Sequence, residues 1–301
     1  MAGPALRRLY EHTPIDFKLL IVDCNIPPRF RSEMEDAVAG HDDVEFIDAG
    51  GPLLSNACKV LVADASTTEL TCMLENDLMV SDGWLEALIA AMEETHADVA
   101  VPRILEGWDE HYHDDGNIGD LDFRPGPNGT ELHIDSLASP QELDVLDEPR
   151  LVTMTEAHCF LFRTSVLKSV QPFDSALTAR EEVDVCLNLH KAGVSIVLQP
   201  SSRLVFIPPP PVHPDEQPYY LRKWDYEAVV RSHNYIHEKW GLTRFPTGYE
   251  VARTRVKRLS RLGWFGYRAV SRWQRAPFKA LKTVRQLTLD RLRKPNRILI
   301  S

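Results

Sequence analysis

The sequence predicts an α/β fold, a three-layer sandwich with a mostly parallel central sheet, followed by a basic C-terminal helical tail. Three observations carry that prediction. Short apolar runs, the mark of strands buried on both faces, recur at residues 18–23, 44–47, 69–74 and 98–102. Segments of helical character separate them, and a β-α-β-α-β order predicts parallel strands joined by right-handed crossovers. The charge also divides along the chain. Residues 251–301 carry 15 Lys and Arg against one acid, Asp290, so this tail is +14 in a 301-residue chain of net charge −10, and the body is −24.

The elements follow in order. Lys18–Asp23 is a first strand that ends in an acid, and residues 28–39 read as a helix. Val44–Ile47 is a second strand, Gly50–Pro52 a turn, and residues 53–65 a second helix. Glu69–Leu74 is the third strand and runs straight into Glu75-Asn76-Asp77. Ser81 or Asp82 is placed to cap a helix in which Leu85, Leu88, Ile89 and Met92 recur at helical spacing. Asp98–Pro102 is the next strand. Residues 106–150 are acidic, turn-rich and weakly periodic, and read as irregular hairpins and a loop over the sheet. Order returns with a strand at 158–163, helices at 164–169 and 181–192, and a strand at 194–198. Pro208–Pro211 is a rigid extended connector. Residues 217–240 read as an aromatic-bearing helix ending at Gly241.

Composition excludes several classes. No run reaches the ~18 apolar residues of a membrane span. The start, MAGPALRRLYEHTP, has no apolar core and is not expected to be a secretory signal. Cys24, Cys58, Cys72, Cys159 and Cys186 show no CxxC spacing, so neither a zinc knuckle nor a disulfide framework is indicated and a reducing cytoplasm suits them. A −24 body is a poor match for nucleic acid. In the tail, Phe278, Leu281, Val284 and Leu287 lie three apart beside Lys279, Lys282 and Arg285. Such a basic amphipathic helix suits an anionic membrane surface. A helical arm docked on the acidic body is the alternative.

Ligands of open parallel sheets lie beyond the carboxyl ends of the strands, where Asp23 and Glu75–Asp77 are expected. A carboxylate pair there can hold Mg²⁺ or Mn²⁺ while leaving positions for diphosphate oxygens. A solvated turn is the plain alternative. A second acidic set, Glu181, Glu182 and Asp184 after Arg180, opens a helix. The helix dipole favours acids there, so simple capping accounts for them equally. Alternatively one carboxylate, its pKa raised by crowding, acts as a general base toward a hydroxyl. His158 lines the acceptor side or is a satisfied edge histidine. His111–Asp115 reads as a solvated loop tip.

Taken together, these pieces resemble the family 2 glycosyltransferases. The matching residues are Leu20–Asp23, Met73–Val80 followed by Gly83-Trp84-Leu85, Phe173-Asp174, Glu181–Leu187, Ala192-Gly193 and Lys239–Leu242, in the family's order. The likeness covers residues 5–242. Residues 5–13 resemble the helix that follows the family's usual first strand, and that strand is not found in the sequence.

The resemblance implies a Rossmann-like glycosyltransferase A fold. Residues 1–105 would form its nucleotide-sugar half, residues 106–245 its acceptor half, and 246–301 the tail. It implies that Asp23, with Asn76, contacts the donor nucleotide, that Asp77 and Glu75 hold the metal, and that Glu182 is the base of an inverting transfer. Glu181, Asp184 and His158 would face the acceptor, a saccharide or lipid-linked molecule, and His213 is a candidate third metal ligand. A non-catalytic binding module and a nucleotidyltransferase of similar sheet plan are the rival readings.

Overall fold

The computed structural model describes residues 2–108, 111–114, 118–137, 146, 148–207, 219 and 222–245. The Pro208–Pro211 connector, His213 and the tail lie outside these residues. The strands are β1 (Leu19–Asp23), β2 (Val44–Asp48), β3 (Leu70–Leu74), β4 (Leu78–Met79), β5 (Val99–Trp108) and β6 (His111–Asp114), then β7 (Gly119–Gly126), β8 (Gly129–Ser136), β9 (Arg150–Val152), β10 (Cys159–Arg163), β11 (Ile196–Phe206) and β12 (Leu242–Arg244). The helices are α1 (Ala2–Glu11), α2 (Pro28–Ala37), α3 (Ser55–Ala65), α4 (Trp84–Thr95), α5 (Thr164–Val170), α6 (Glu181–Lys191) and α7 (Tyr226–Trp240).

The three-layer α/β sandwich is borne out. Alternate residues of each core strand enter opposite layers. Val99, Val101, Phe160 and Phe162 pack with Leu167 of α5, Val185 and Leu189 of α6 and Val60 of α3. Ala100, Ile104 and Leu161 pack on the other side with Trp84, Leu88 and Met92 of α4 and Leu9 of α1. Strands buried on both faces need apolar residues throughout, which is why these segments were visible as continuous runs.

The strand directions differ from expectation. The predicted strands fall in two sheets, because β1 and β2 pair parallel with each other and neither joins β3. The main sheet runs β3-β10-β5-β11-β4, with β6 on β5 and β9 on β11. It is mixed rather than mostly parallel. β5 and β11 are parallel, but β10 is antiparallel to both β3 and β5. Because β10 opposes both neighbours, β3 and β5 still point the same way and present their carboxyl ends at one edge.

Other expectations are corrected locally. Residues 111–114 form strand β6, not a loop tip, and β7, β8 and β12 form a separate three-stranded sheet. Neither Ser81 nor Asp82 caps α4. Its N-cap is Gly83 in a left-handed conformation, φ +69°, which glycine adopts without a steric cost. The Ser81 hydroxyl instead donates to the Arg203 carbonyl at 2.7 Å, and Asp82 pairs with His12. β11 continues to Phe206 through an irregularity between Gln199 and Arg203. α7 starts at Tyr226, where the Asp225 carboxylate accepts from the Ala228 N–H at 2.8 Å. Among the described residues no helix is long and apolar enough to cross a membrane.

Candidate active site

The site starts from the register of two strands. β3 and β10 pair with Leu74 opposite Cys159, so the next residues outward, Glu75 and His158, face each other across the strand ends. The Glu75 N–H donates to the His158 carbonyl at 3.0 Å, and His158 Nδ1 lies 2.9 Å from Glu75 Oε2. The His158 ring is stacked on Phe206, 4.5 Å between centroids. The chain then turns from β3 into β4, and the Asp77 carbonyl accepts from the Ile207 N–H at 3.0 Å, which fixes Asp77 beside this pair. Donor atoms of Glu75, Asp77 and His158 all fall within 4.8 Å of one another.

The cluster is charged unevenly. Lys59 Nζ, on the buried face of α3, lies 3.2 Å from Glu75 Oε1 and donates to the Ala157 carbonyl at 2.8 Å. The Ser55 hydroxyl, one helical turn earlier, donates to the same Glu75 oxygen at 3.1 Å. Burial pushes the Glu75 carboxyl up, but the Lys59 charge and the His158 hydrogen bond outweigh it and hold it well below the usual carboxylate range. Asp77 has weaker support. Burial, and then the Glu75 charge, outweigh the His158 and Lys223 charges and push it up to about 6. Its Oδ1 is buried without a hydrogen-bond partner among the described residues.

The charge of Lys223 acts on both this cluster and the second acidic set. Burial works against its charge, but Glu181, Glu75, Tyr219 and Asp77 outweigh that and hold the ammonium above its ordinary range. Glu182, the residue after Glu181, is buried and takes a hydrogen bond from Arg180 Nη1 at 2.9 Å. Burial and the Glu181 charge raise its pKa. Arg180 is itself in the left-handed region, φ +58°, an uncommon conformation for a residue with a side chain.

Two sequence-derived candidates are held by the protein's own donors. Asp184 is fully buried and accepts from Lys239 Nζ at 2.8 Å, Trp240 Nε1 at 2.7 Å and Asn188 Nδ2 at 3.0 Å. All its strong donors come from the protein, so it ties α6 to α7 rather than facing an acceptor. Asp23 ends β1 in the smaller sheet, where its carboxylate accepts from the Ile26 N–H at 2.9 Å and pairs with Arg31. Asn76 is exposed in the turn between Glu75 and Asp77. His158, expected on the acceptor side, instead joins Glu75 and Asp77. Lys59 and Lys223 were not anticipated. The i, i+4 spacing of Ser55 and Lys59 was the available signal for the first.

Residues 2–170 match the sequence model of the glycosyl transferase family 2. The chain belongs to that family. The match includes the Glu75, Asp77 and His158 cluster and stops before α6. Pre-mycofactocin glycosyltransferases of two Mycobacterium tuberculosis strains, CDC 1551 / Oshkosh and H37Rv, are 24% identical over 176 residues, which is 56% of this chain and 33% of theirs. The chain therefore spans about a third of the length of these curated relatives. Among solved structures, GalNAc-T7 with UDP, GalNAc and Mn²⁺ is similar at TM-score 0.53 and 14% identity, over 67% of this chain and 40% of that one. The similarity is one of fold, the glycosyltransferase A fold.

Proposed function

We propose that this chain is an inverting, metal-dependent glycosyltransferase that moves a sugar from a nucleoside-diphosphate donor to an acceptor hydroxyl. The observation that carries this reading is the Glu75–Asp77–His158 cluster at the carboxyl end of β3. Two carboxylates and an imidazole suit a small divalent cation, and the buried Asp77 Oδ1 has no hydrogen-bond partner among the described residues. Glu75, Asp77 and His158 would hold Mg²⁺ or Mn²⁺, whose charge would stabilise the departing diphosphate.

The remaining work falls to the chain itself. Ser55 and Lys59 hold Glu75 ionised and fixed. Lys223 supplies a second positive charge for the diphosphate. Asp23 and Asn76 contact the donor nucleotide. Glu182 takes the acceptor proton, and its raised pKa strengthens it as a base. UDP and Mn²⁺ in the similar GalNAc-T7 structure make UDP-sugars with Mn²⁺ the first donors to try. The acceptor belongs to surface-glycan or lipid-linked saccharide synthesis, with the +14 tail at the cytoplasmic face of an anionic membrane. That part rests on the sequence of residues 251–301.

The test is transfer or donor hydrolysis across a panel of nucleotide-sugars with Mn²⁺. Wild type should turn over at least one donor, and chelation should stop it. Equal rates in wild type, Asp77→Ala and Glu182→Gln would reject the assignment.

A further inference from the structure

One pair of reactive side chains is used by none of this chemistry. Cys24 directly follows Asp23 at the end of β1, and Cys58 lies on α3 between Ser55 and Lys59, the residues that hold Glu75. Their sulfurs are 3.1 Å apart, and both residues are partly accessible. A disulfide bond is about 2.0 Å long, so closure needs a shift of only about 1 Å. We propose that Cys24 and Cys58 form a reversible redox modification site, a dithiol that closes to a disulfide by exchange with low-molecular-weight disulfides of the glutathione class.

The step balances without a cofactor. The Cys24 thiolate attacks one sulfur of the small disulfide, whose S–S bond breaks and releases one thiol. The Cys58 thiol then loses its proton and attacks Cys24 Sγ in the mixed disulfide, releasing the second thiol. The protein loses two protons and two electrons, and the small disulfide takes up both. The environment separates the two roles. The hydrogen bond from Cys58 outweighs burial and brings the Cys24 thiol down to about 7, whereas that same bond, with burial, pushes Cys58 up. The other thiols differ. Cys159 and Cys186 are buried, and burial raises both. Cys72 and Cys159 are 3.9 Å apart on neighbouring strands, which supplies an internal control.

Closure would tie the end of β1, which carries Asp23, to the helix that carries Ser55 and Lys59. The site is thus a covalent latch between the two strand edges, and its chemistry stands whether or not the chain transfers sugar.

The experiment is peptide mapping by mass spectrometry of the full-length protein equilibrated in reduced and oxidised glutathione, with alkylation of remaining thiols. The expected result is a Cys24–Cys58 cross-linked peptide as the dominant oxidised form, reversed by excess dithiol. At pH 7 Cys24 should be alkylated at least about tenfold faster than buried Cys159 or Cys186, as its larger thiolate fraction requires. Cys24→Ser and Cys58→Ser should each abolish the cross-link and leave the partner as a glutathione adduct or free thiol. Glutathione adducts without a cross-link in wild type, an equally abundant Cys72–Cys159 cross-link, or two thiols that stay reduced throughout would each overturn the proposal.

Discussion

Two aspartates, half-buried Asp77 at the β3 edge and buried Asp184 at the seam between α6 and α7, look alike in sequence and do opposite things. Each sits in a run of acids beside other charged residues. Asp184 takes two side-chain amide and indole donors and the Lys239 ammonium, with nothing left over. Asp77 leaves Oδ1 without a partner among the described residues and sits against the charge of Glu75. The first arrangement stabilises the fold. The second costs stability and is retained next to a histidine and a glutamate poised to share a cation. Which acids are satisfied, rather than how many there are, separates structure from chemistry.

Exchanging the two roles should be impossible, and the largest effect tests this first. Asp77→Ala should lower kcat by about 10³-fold or more, as loss of a group that holds transition-state charge does, while leaving the melting temperature unchanged or higher. Asp184→Ala should do the reverse. It strands the Trp240 N–H and the Asn188 amide and breaks a buried ion pair, at a cost of about 3 kcal/mol in denaturant unfolding. Activity of the folded fraction should stay within a few-fold. Loss of activity in Asp184→Ala at unchanged stability would collapse the distinction.

Glu182→Gln sharpens the comparison inside α6 itself, two residues from Asp184. It should lower kcat by about 10²-fold or more with little change in donor affinity, the expectation for a general base. Equal losses in kcat and donor affinity would place Glu182 with the donor instead.

The smallest effect concerns pH and belongs to the seam. His233 of α7 is fully buried against Phe245, and burial, then the charges of Arg180 and His237, bring its pKa down to about 4. A histidine that stays neutral when folded but takes a proton near pH 6.5 when unfolded contributes its full stability above pH 6.5. That contribution is lost progressively as pH falls toward 4, by about 2 kcal/mol at pH 5. Chemical denaturation of wild type and His233→Gln at pH 7 and pH 5 checks this. The variant should have the flatter pH dependence.

Much of the fold was legible because buried strands and amphipathic helices are local patterns. The strands at β1, β2, β3, β5 and β10 and the helices α3, α4 and α6 stand close to where periodicity put them. Strand direction was not legible, since it depends on how β10 returns to the sheet over a segment of weak pattern. That single fact hid the role of His158, which faces Glu75 only because β10 runs antiparallel to β3. Lys223 was invisible for the same reason. Its charge acts on Glu75 from 148 positions away, and no spacing rule connects them. The acids of the site could be read, but not the cations that make their charges tolerable.

The central claim is that Glu75, Asp77 and His158 form one cation site for the donor diphosphate. Calorimetric titration of Mn²⁺ into wild type, Asp77→Ala and His158→Ala, each with and without saturating UDP, tests it most directly. The account predicts one Mn²⁺ per wild-type chain, tighter binding with UDP present, and loss of that UDP-enhanced site in both variants. Unchanged Mn²⁺ and UDP binding in the two variants would contradict it.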